Sequence, residues 1–379
     1  MSSPYAKLPS WADYGLIPLI NLIVAFFVAG LVVLLVGESP FEAVRLMLKG
    51  AFGTGNGIGY TLYYATNFIF TGLAVAIAFH AGLFNIGGEG QASVAGVGVA
   101  IVCLSFDSIL PWWLTYPIAI LGAAAFGAGW ALIPAWLQAY RGSHIVITTI
   151  MFNFIAASLM VYLLVNVLKA GGQQAPETRI FAEGGRLPSL AWLLNLVGIP
   201  VRRTPLNITF ILALIASFGV WVLIWRTRLG YEIRTMGHSP KAARYAGIGE
   251  KRIIIIAMLI SGALAGLMAL NPIMGAQGRM QLNFVGGAGF VGIAVALMGR
   301  SHPVGIILAA ILFGMLYQGG AEIAFEMPNI TREMIVVIMG LVIFFAGAME
   351  HMFRPTVQMV LASLSPSSMG LKPKAAGES

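Results

Sequence analysis

Charge is what this sequence has least of. Only 9% of its 379 residues are Asp, Glu, Lys or Arg while 59% are hydrophobic, and an ordinary soluble domain carries about 25% charged residues. Such a chain cannot clothe itself for water, so a soluble enzyme or binding domain is excluded. Cysteine is almost missing as well. Cys103 is the only one and lies in an apolar segment, which rules out an intrachain disulfide and a cysteine-based metal centre. None of the five histidines, His80, His144, His238, His302 and His351, stands in a metal-ligating spacing such as H-E-x-x-H. No lysine is followed by serine or threonine, so the phosphate loop G-x-x-x-x-G-K-[ST] is absent. A catalytic centre lacks its parts too, because Glu89 has no obvious titratable partner near it in sequence.

What the chain does have is long apolar runs. Several approach or exceed the roughly 20 residues that a helix needs to cross a bilayer core, and helices rather than barrel strands satisfy the backbone within such runs. The expected fold is an all-α integral membrane protein with about ten transmembrane helices, some broken or short. The spans fall at 17–36, 61–80, 91–106, 114–138, 146–168, 207–225, 253–270, 287–299, 303–320 and 334–350, the third and eighth being short. The run from Ile17 to Val36 is too long for a signal-peptide core and no small-residue cleavage site follows it, so it reads as a retained first span.

Ten crossings place both termini on one side. With the termini cytoplasmic, thirteen basic residues fall in inner segments and nine in outer ones, the bias expected of inner loops. The organisation is then a cytoplasmic N-terminus, 1–16; a transmembrane domain, 17–350; and a cytoplasmic tail, 351–379, whose last residues are rich in Ser, Pro, Gly and Lys and are expected to be disordered. The longest outer region, Lys169 to Leu206, contains the semi-apolar LAWLLNLVGIP. It reads either as a solvated loop with an interfacial helix or as a landing surface for a solute-binding protein.

Seven of the inner basic residues lie between Arg226 and Arg252, against two acids, Glu232 and Glu250. Inside this loop Ser239 suits an N-cap, Pro240 the first helical position, and Gly247 a left-handed stop. A helix so short is far below the roughly 12–15 residues at which isolated helices become marginal, so it must dock. Its small apolar face of Ala242, Ala243, Tyr245 and Ala246 fits a cleft on a cytoplasmic protein. The flanking Arg226, Arg228, Lys251 and Arg252 read as ordinary positive-inside charges.

A second unusual segment is HAGLFNIGGEGQ, His80 to Gln91, glycine-rich and polar between two apolar runs. Non-helical backbone at membrane depth is tolerated where it packs in protein or lines a watery cavity. Its Asn85, Glu89 and Gln91 either line a pathway or serve structure, with Glu89 near a helix N-terminus where a carboxylate satisfies free amides. The structural role is the preferred reading. Further amides at membrane depth, among them Asn153, Asn271, Gln277 and Asn283, either glue helices together or bond a neutral or zwitterionic hydrophilic solute. Four amides lie in NPIMGAQGRMQLNFVGGAG, Asn271 to Gly289, the best candidate for irregular backbone near an outer mouth. FTGLAVAI at Phe70 to Ile77 matches FVGIAVAL at Phe290 to Leu297 at five of eight positions. That match fits either a parallel repeat or chance, and Gly72 and Gly292 offer small faces for close packing.

Three of these stretches, FNIGGEGQ, GHSPKAARYAGI (Gly237 to Ile248) and GFVGIAVALMGRSHPVG (Gly289 to Gly305), occur in an order that resembles the membrane subunits of ATP-binding-cassette importers for simple sugars, nucleosides and branched-chain amino acids. The resemblance runs from about Pro40 to Arg354, and FNIGGEGQ with SPFEAVRLMLKGAFG is most similar to nucleoside-type permeases. It implies a non-catalytic permease in the cell inner membrane that binds no cofactor itself, has no nucleic-acid partner and contacts membrane lipid. ATP and Mg would be used by partner ATPase subunits. Coupling to them would involve Gly237, Ser239, Pro240, Ala242, Ala243, Arg244, Tyr245, Ala246 and Gly247. It also implies a second permease subunit, identical or related, and an extracytoplasmic solute-binding protein. An ion-coupled secondary transporter would need an intramembrane acid or base for its ion, and this chain has almost no charge in mid-span.

Overall fold

The computed structural model describes residues 16–198, 200–201, 204–344 and 357–359. His351, Arg202, Arg203, the first fifteen residues and most of the expected tail lie outside them. Among the described residues the chain is helical, without a strand, its only β pairing being two isolated bridges. In order the helices are α1 (Ile17–Leu35), α2 (Pro40–Phe52), α3 (Gly55–His80), α4 (Gly88–Phe106), α5 (Trp112–Arg141), α6 (Ile145–Asn166), α7 (Ala191–Leu196), α8 (Thr209–Arg226), α9 (Arg228–His238), α10 (Pro240–Tyr245), α11 (Glu250–Leu267), α12 (Ala288–Met298), α13 (Pro303–Glu326) and α14 (Arg332–Ile343). A π-helical turn, Asn271–Gln277, extends α11.

Seven of these are long and apolar enough to cross a membrane: α3, α4, α5, α6, α8, α11 with its π turn, and α13, with α1 and α2 together counting as an eighth. The expected short eighth span is confirmed as α12, only 11 residues long. The expected short third span is not short. It begins at Gly88 and runs 19 residues, because its glycine-rich first turn is helical where the sequence suggested a loop. The tenth expected span is represented by α14, and residues 345–350 of that span lie outside the described residues.

The chain divides into two compact units, Leu48–Gly319 and the segments either side of it. In the smaller unit α1 packs with α14, and Asn329 donates to Glu38 at 2.8 Å. In the larger unit α3 forms the axis, with 83% of its most apolar stretch buried. It pairs in parallel with α12: a Cβ on Gly292 would meet Thr71, and His80 Nε2 lies 3.0 Å from the Ser301 carbonyl, both contacts 221 residues apart. The two matching octapeptides therefore pack on each other through Gly72 and Gly292, small residues that let backbones approach without lipid between them.

The region from Lys169 to Leu206 corrects an expectation, for its first half is no solvated loop. Its backbone is bonded to the π turn and to the chain after it. Thr178 N donates to Met280 O at 3.0 Å, Phe181 N to Gly278 O at 2.8 Å and Leu187 N to Met274 O at 3.0 Å. Arg279 pairs with Glu177 at 2.7 Å, and Phe181, Leu187 and Leu190 are buried. At one edge Arg179 grips the buried Asp107 carboxylate with bonds of 2.7 and 2.9 Å, and Ala182 N adds a third at 2.8 Å. Burial alone would raise the Asp107 pKa, but the hydrogen bonds from Arg179, Ala182 and Ser108 outweigh it and hold the carboxyl below its ordinary value.

A group held below its unfolded value stabilises above that value and stops doing so as pH falls through the folded one. Acidification below the usual carboxylate range should therefore loosen residues 175–187, read as protease cleavage or cysteine labelling there. Arg179→Met should reproduce the loosening at neutral pH, with a cost of about 2 kcal/mol for bonds to a charged group. Unchanged cleavage under both conditions would remove Asp107 as the anchor.

Candidate functional site

The stretch after α3 turns in seven residues and starts α4, and almost every polar atom in it is spoken for. Asn85 Oδ1 accepts from Gly87 N at 2.9 Å and from Gln91 Nε2 at 3.1 Å, while its Nδ2 donates to Gln91 Oε1 at 2.9 Å and to Ser261 Oγ at 2.8 Å. Ser261 Oγ in turn donates to the Ala74 carbonyl at 2.6 Å. Asn153, from α6, accepts from Gly90 N at 2.9 Å and donates to Ile86 O at 3.0 Å. These are the bonds a buried turn requires, because an unpaired backbone group at this depth costs as much as a lost hydrogen bond. Asn85 and Gln91 are thus buried structural amides, 1% exposed each.

Glu89 does something the sequence did not reveal. It sits in the first turn of α4, but its carboxylate serves another helix. Oε1 accepts from Gly287 N at 2.8 Å and Oε2 from Gly289 N at 2.9 Å, the free amides at the start of α12. Two helix N-termini thus meet at one acid, where the partial positive charge of each favours a carboxylate. The approach is so close that a Cβ on Gly289 would strike the Glu89 amide. Because α12 rises about 16 Å along its axis, Glu89 lies roughly half a hydrocarbon core from the level where His80 meets Ser301.

Beside this junction is a cavity of about 250 Å³, lined by Glu89, Ser93, Asn153, Gln281, Asn283 and Phe284 together with Met160 and Met280. Asn283, at φ 59, is exposed at this lining. Asn271 stands apart. It is buried and relays from Asn207, whose Nδ2 reaches its Oδ1 at 2.7 Å, to Asn67 at 2.7 Å and the Tyr63 carbonyl at 3.0 Å. That asparagine chain ties the π turn to α3 and to the start of α8. Gln277 closes the π turn, its Oε1 buried without a hydrogen bond. Ser93 and Phe284 join the cavity without having been singled out in the sequence, whereas Gln281 is one of the four amides of the 271–289 stretch.

The segment between α8 and α11 forms two helices. Thr227 caps α9 by accepting from Gly230 N at 3.0 Å, and Ser239 caps α10 by accepting from Ala242 N at 3.3 Å with Pro240 at the first position. Gly247, at φ 75, ends it: Gly247 N reaches Arg244 O at 3.0 Å and Ile248 N reaches Ala243 O at 2.9 Å. These two bonds are the Schellman stop. The apolar face needs one correction. Ala243 turns inward and is 1% exposed, packed within its own chain, whereas Ala242, Tyr245 and Ala246 point out and Tyr245 is 95% exposed. Arg244 is held by Glu250 at 2.9 Å.

The ends of this segment are anchored to the membrane helices. Arg226 lies over the Trp221 ring at 5.1 Å and Lys251 over Tyr140 at 4.7 Å, stacking worth about 0.5–1 kcal/mol at exposed sites. Gly237, at the end of α9, abuts the α3 terminus so tightly that a Cβ there would strike the His80 carbonyl. The chain after that carbonyl leads through residues 81–87 into the first turn of α4, which carries Glu89, so α9 touches the start of the connection that ends at the Glu89 junction.

A profile of the family described as branched-chain amino acid transport system / permease component matches residues 57–347. The guanosine ABC transporter permease protein NupP of Bacillus subtilis is 35% identical over 338 residues, 88% of this chain and 93% of its own. The glucose ABC transporter permease protein TsgB13 of Haloferax volcanii is 33% identical, over 93% of this chain and 91% of its own. The nucleoside ABC transporter permease protein NupB of Lactococcus lactis is 32% identical, over 94% and 98%. Each of these three organisms also holds a second, more distant match, at 26% or 27% identity. With most of both lengths covered and the helical membrane architecture in place, the chain belongs to this family of ABC transporter permeases as a multi-pass membrane subunit.

Proposed function

We infer that this chain is the importer subunit that forms the pathway for a nucleoside, moved by ATPase subunits that dock on α10. The observation that carries the coupling half is the exposed face of Ala242, Tyr245 and Ala246. A nearly fully exposed tyrosine on a helix capped at both ends is costly to leave in water and is a common anchor at interfaces. The sequence has no phosphate loop of its own, which is consistent with an external engine. ATPase closure would push α10 and α9, and the contact at Gly237 would carry the movement to the Glu89 junction as a rigid-body shift.

The nucleoside assignment is supported by the names of two relatives and by the amide-bearing lining of the cavity. The doubled matches in each organism favour a pair of related, non-identical permeases, completed by an extracytoplasmic solute-binding protein. In this arrangement the termini and residues 226–252 face the cytoplasm of the cell inner membrane, residues 169–206 face the outside, and 17–350 form the permease domain. The chain itself uses no cofactor.

Two measurements test this reading. In a Cys103→Ala background, Lys241→Cys should resist a membrane-impermeant thiol reagent in intact cells while Glu183→Cys reacts, and the reverse pattern would invert the topology. Cells expressing the complete transporter should accumulate guanosine in preference to glucose or leucine. Uptake of glucose or leucine without guanosine would overturn the solute assignment and leave the permease role standing.

A further inference from the structure

We propose that the cavity beside Glu89 is the subsite that recognises the sugar moiety of the solute, with the Glu89 carboxylate accepting hydrogen bonds from two adjacent ring hydroxyls. This rests on the nucleoside reading above. The cavity holds about 250 Å³, below the roughly 300–1,000 Å³ of pockets for drug-sized ligands. It is therefore sized for the pentose rather than for a whole nucleoside.

The donor and acceptor inventory fits that occupant. A carboxylate offers about four lone-pair sites, and each Glu89 oxygen spends one on an α12 amide, at 2.8 and 2.9 Å. One site on each oxygen is left, on a half-buried side chain that lines the cavity. The two amides fix the plane of the group, so one acceptor site on each oxygen remains for a pair of adjacent hydroxyls. A carboxylate also holds the ribose 2′-hydroxyl in dinucleotide-binding folds.

Ser93 Oγ donates to the Glu89 carbonyl at 2.8 Å and leaves its own lone pairs to the cavity. Asn283 supplies an amide at the rim, and Phe284 and Met160 supply apolar surface for the C–H face of a sugar ring. A metal ion is the weaker occupant, since no group of three His, Cys, Asp or Glu converges among the described residues. The relatives named for guanosine and for glucose transport have solutes that share one chemical element, a ring with vicinal hydroxyls. Recognition of that element explains how one permease scaffold serves both.

The test compares guanosine with 2′,3′-dideoxyguanosine, supplied at concentrations that saturate delivery, in cells expressing the complete transporter with either wild-type chain or Glu89→Gln. The glutamine keeps one acceptor for α12 and loses the second. Guanosine uptake should fall about tenfold while dideoxyguanosine uptake stays within about twofold of wild type, as for loss of a hydrogen bond to a charged group. Equal losses for both solutes at normal membrane abundance would reduce Glu89 to a helix cap and overturn the proposal, and so would no loss for either.

Should Glu89→Gln fail to accumulate, Asn283→Gly decides, because glycine tolerates the positive φ and removes only the amide. A guanosine-selective loss supports the subsite, and indifference overturns it. A wild-type strain that imports no guanosine at all overturns instead the nucleoside reading on which the proposal rests.

Discussion

Tyr245→Ala should uncouple the transporter while leaving the permease intact. The side chain is 95% exposed, so its removal costs the fold almost nothing, and any large effect must come through a partner. At a docked interface, truncating a tyrosine anchor costs about 2 kcal/mol or more, enough to lower ATPase association and guanosine uptake together by more than about tenfold. Ala246→Glu should act in the same direction by placing an unpaired charge in the contact. Lys241→Ala, on an exposed charge with no ion pair among the described residues, should change uptake little. Membrane abundance should stay at the wild-type level in all three.

The contrasting variant is Ala243→Arg, which enters the protein's own packing and should lower abundance instead. Gly247→Val should also hurt, since a β-branched residue at φ 75 costs about 1–2 kcal/mol and breaks the stop that holds Tyr245 in place. Normal uptake and normal ATPase copurification in both Tyr245→Ala and Ala246→Glu would reduce α10 to a basic loop at the membrane surface.

The difference between Ala243 and Tyr245 shows what sequence can and cannot specify. Ser239, Pro240 and Gly247 act through bonds to residues three to five positions away, so the cap, the first turn and the stop of α10 could all be read locally. Which way the finished helix faces depends on its packing within the folded chain, and no local signal carries that. The same division runs through the membrane domain. The long apolar runs were legible because each helix satisfies its own backbone, and the shortness of α12 was legible in the length of its apolar run. The start of α4 was misjudged because its first turn is stabilised by Asn153, 63 residues away. The outer region looked solvated because its partners, Asp107 on one side and residues 274–281 on the other, are distant in sequence. For the cavity, the glycine-rich turn and the amides of the 271–289 stretch were visible individually. Their convergence with Ser93 and Phe284 was not.

Glu89→Leu should have the largest effect on stability of any single change at the junction. The carboxylate's two acceptors lie 198 and 200 residues from the amides they satisfy, so it joins α4 to α12 as no local contact does. Leucine would leave Gly287 N and Gly289 N without an acceptor in a partly buried site. Each orphaned donor costs about 1–3 kcal/mol, and the favourable term between a carboxylate and two helix N-termini, about 0.3–1 kcal/mol for each at exposed sites and more when partly buried, is lost as well. Together the loss is on the order of 4 kcal/mol, a large share of the roughly 5–15 kcal/mol that stabilises a domain. Glu89→Leu protein should be depleted from the membrane and melt earlier in detergent, whereas Glu89→Gln, which keeps one acceptor, should accumulate. Gly289→Val should resemble Glu89→Leu for a steric reason, because its Cβ would drive against the Glu89 amide and force the two helix ends apart. If Glu89→Leu accumulated and melted like wild type, the start of α12 would have to find its acceptors elsewhere, and the junction of the two helices would not depend on this acid.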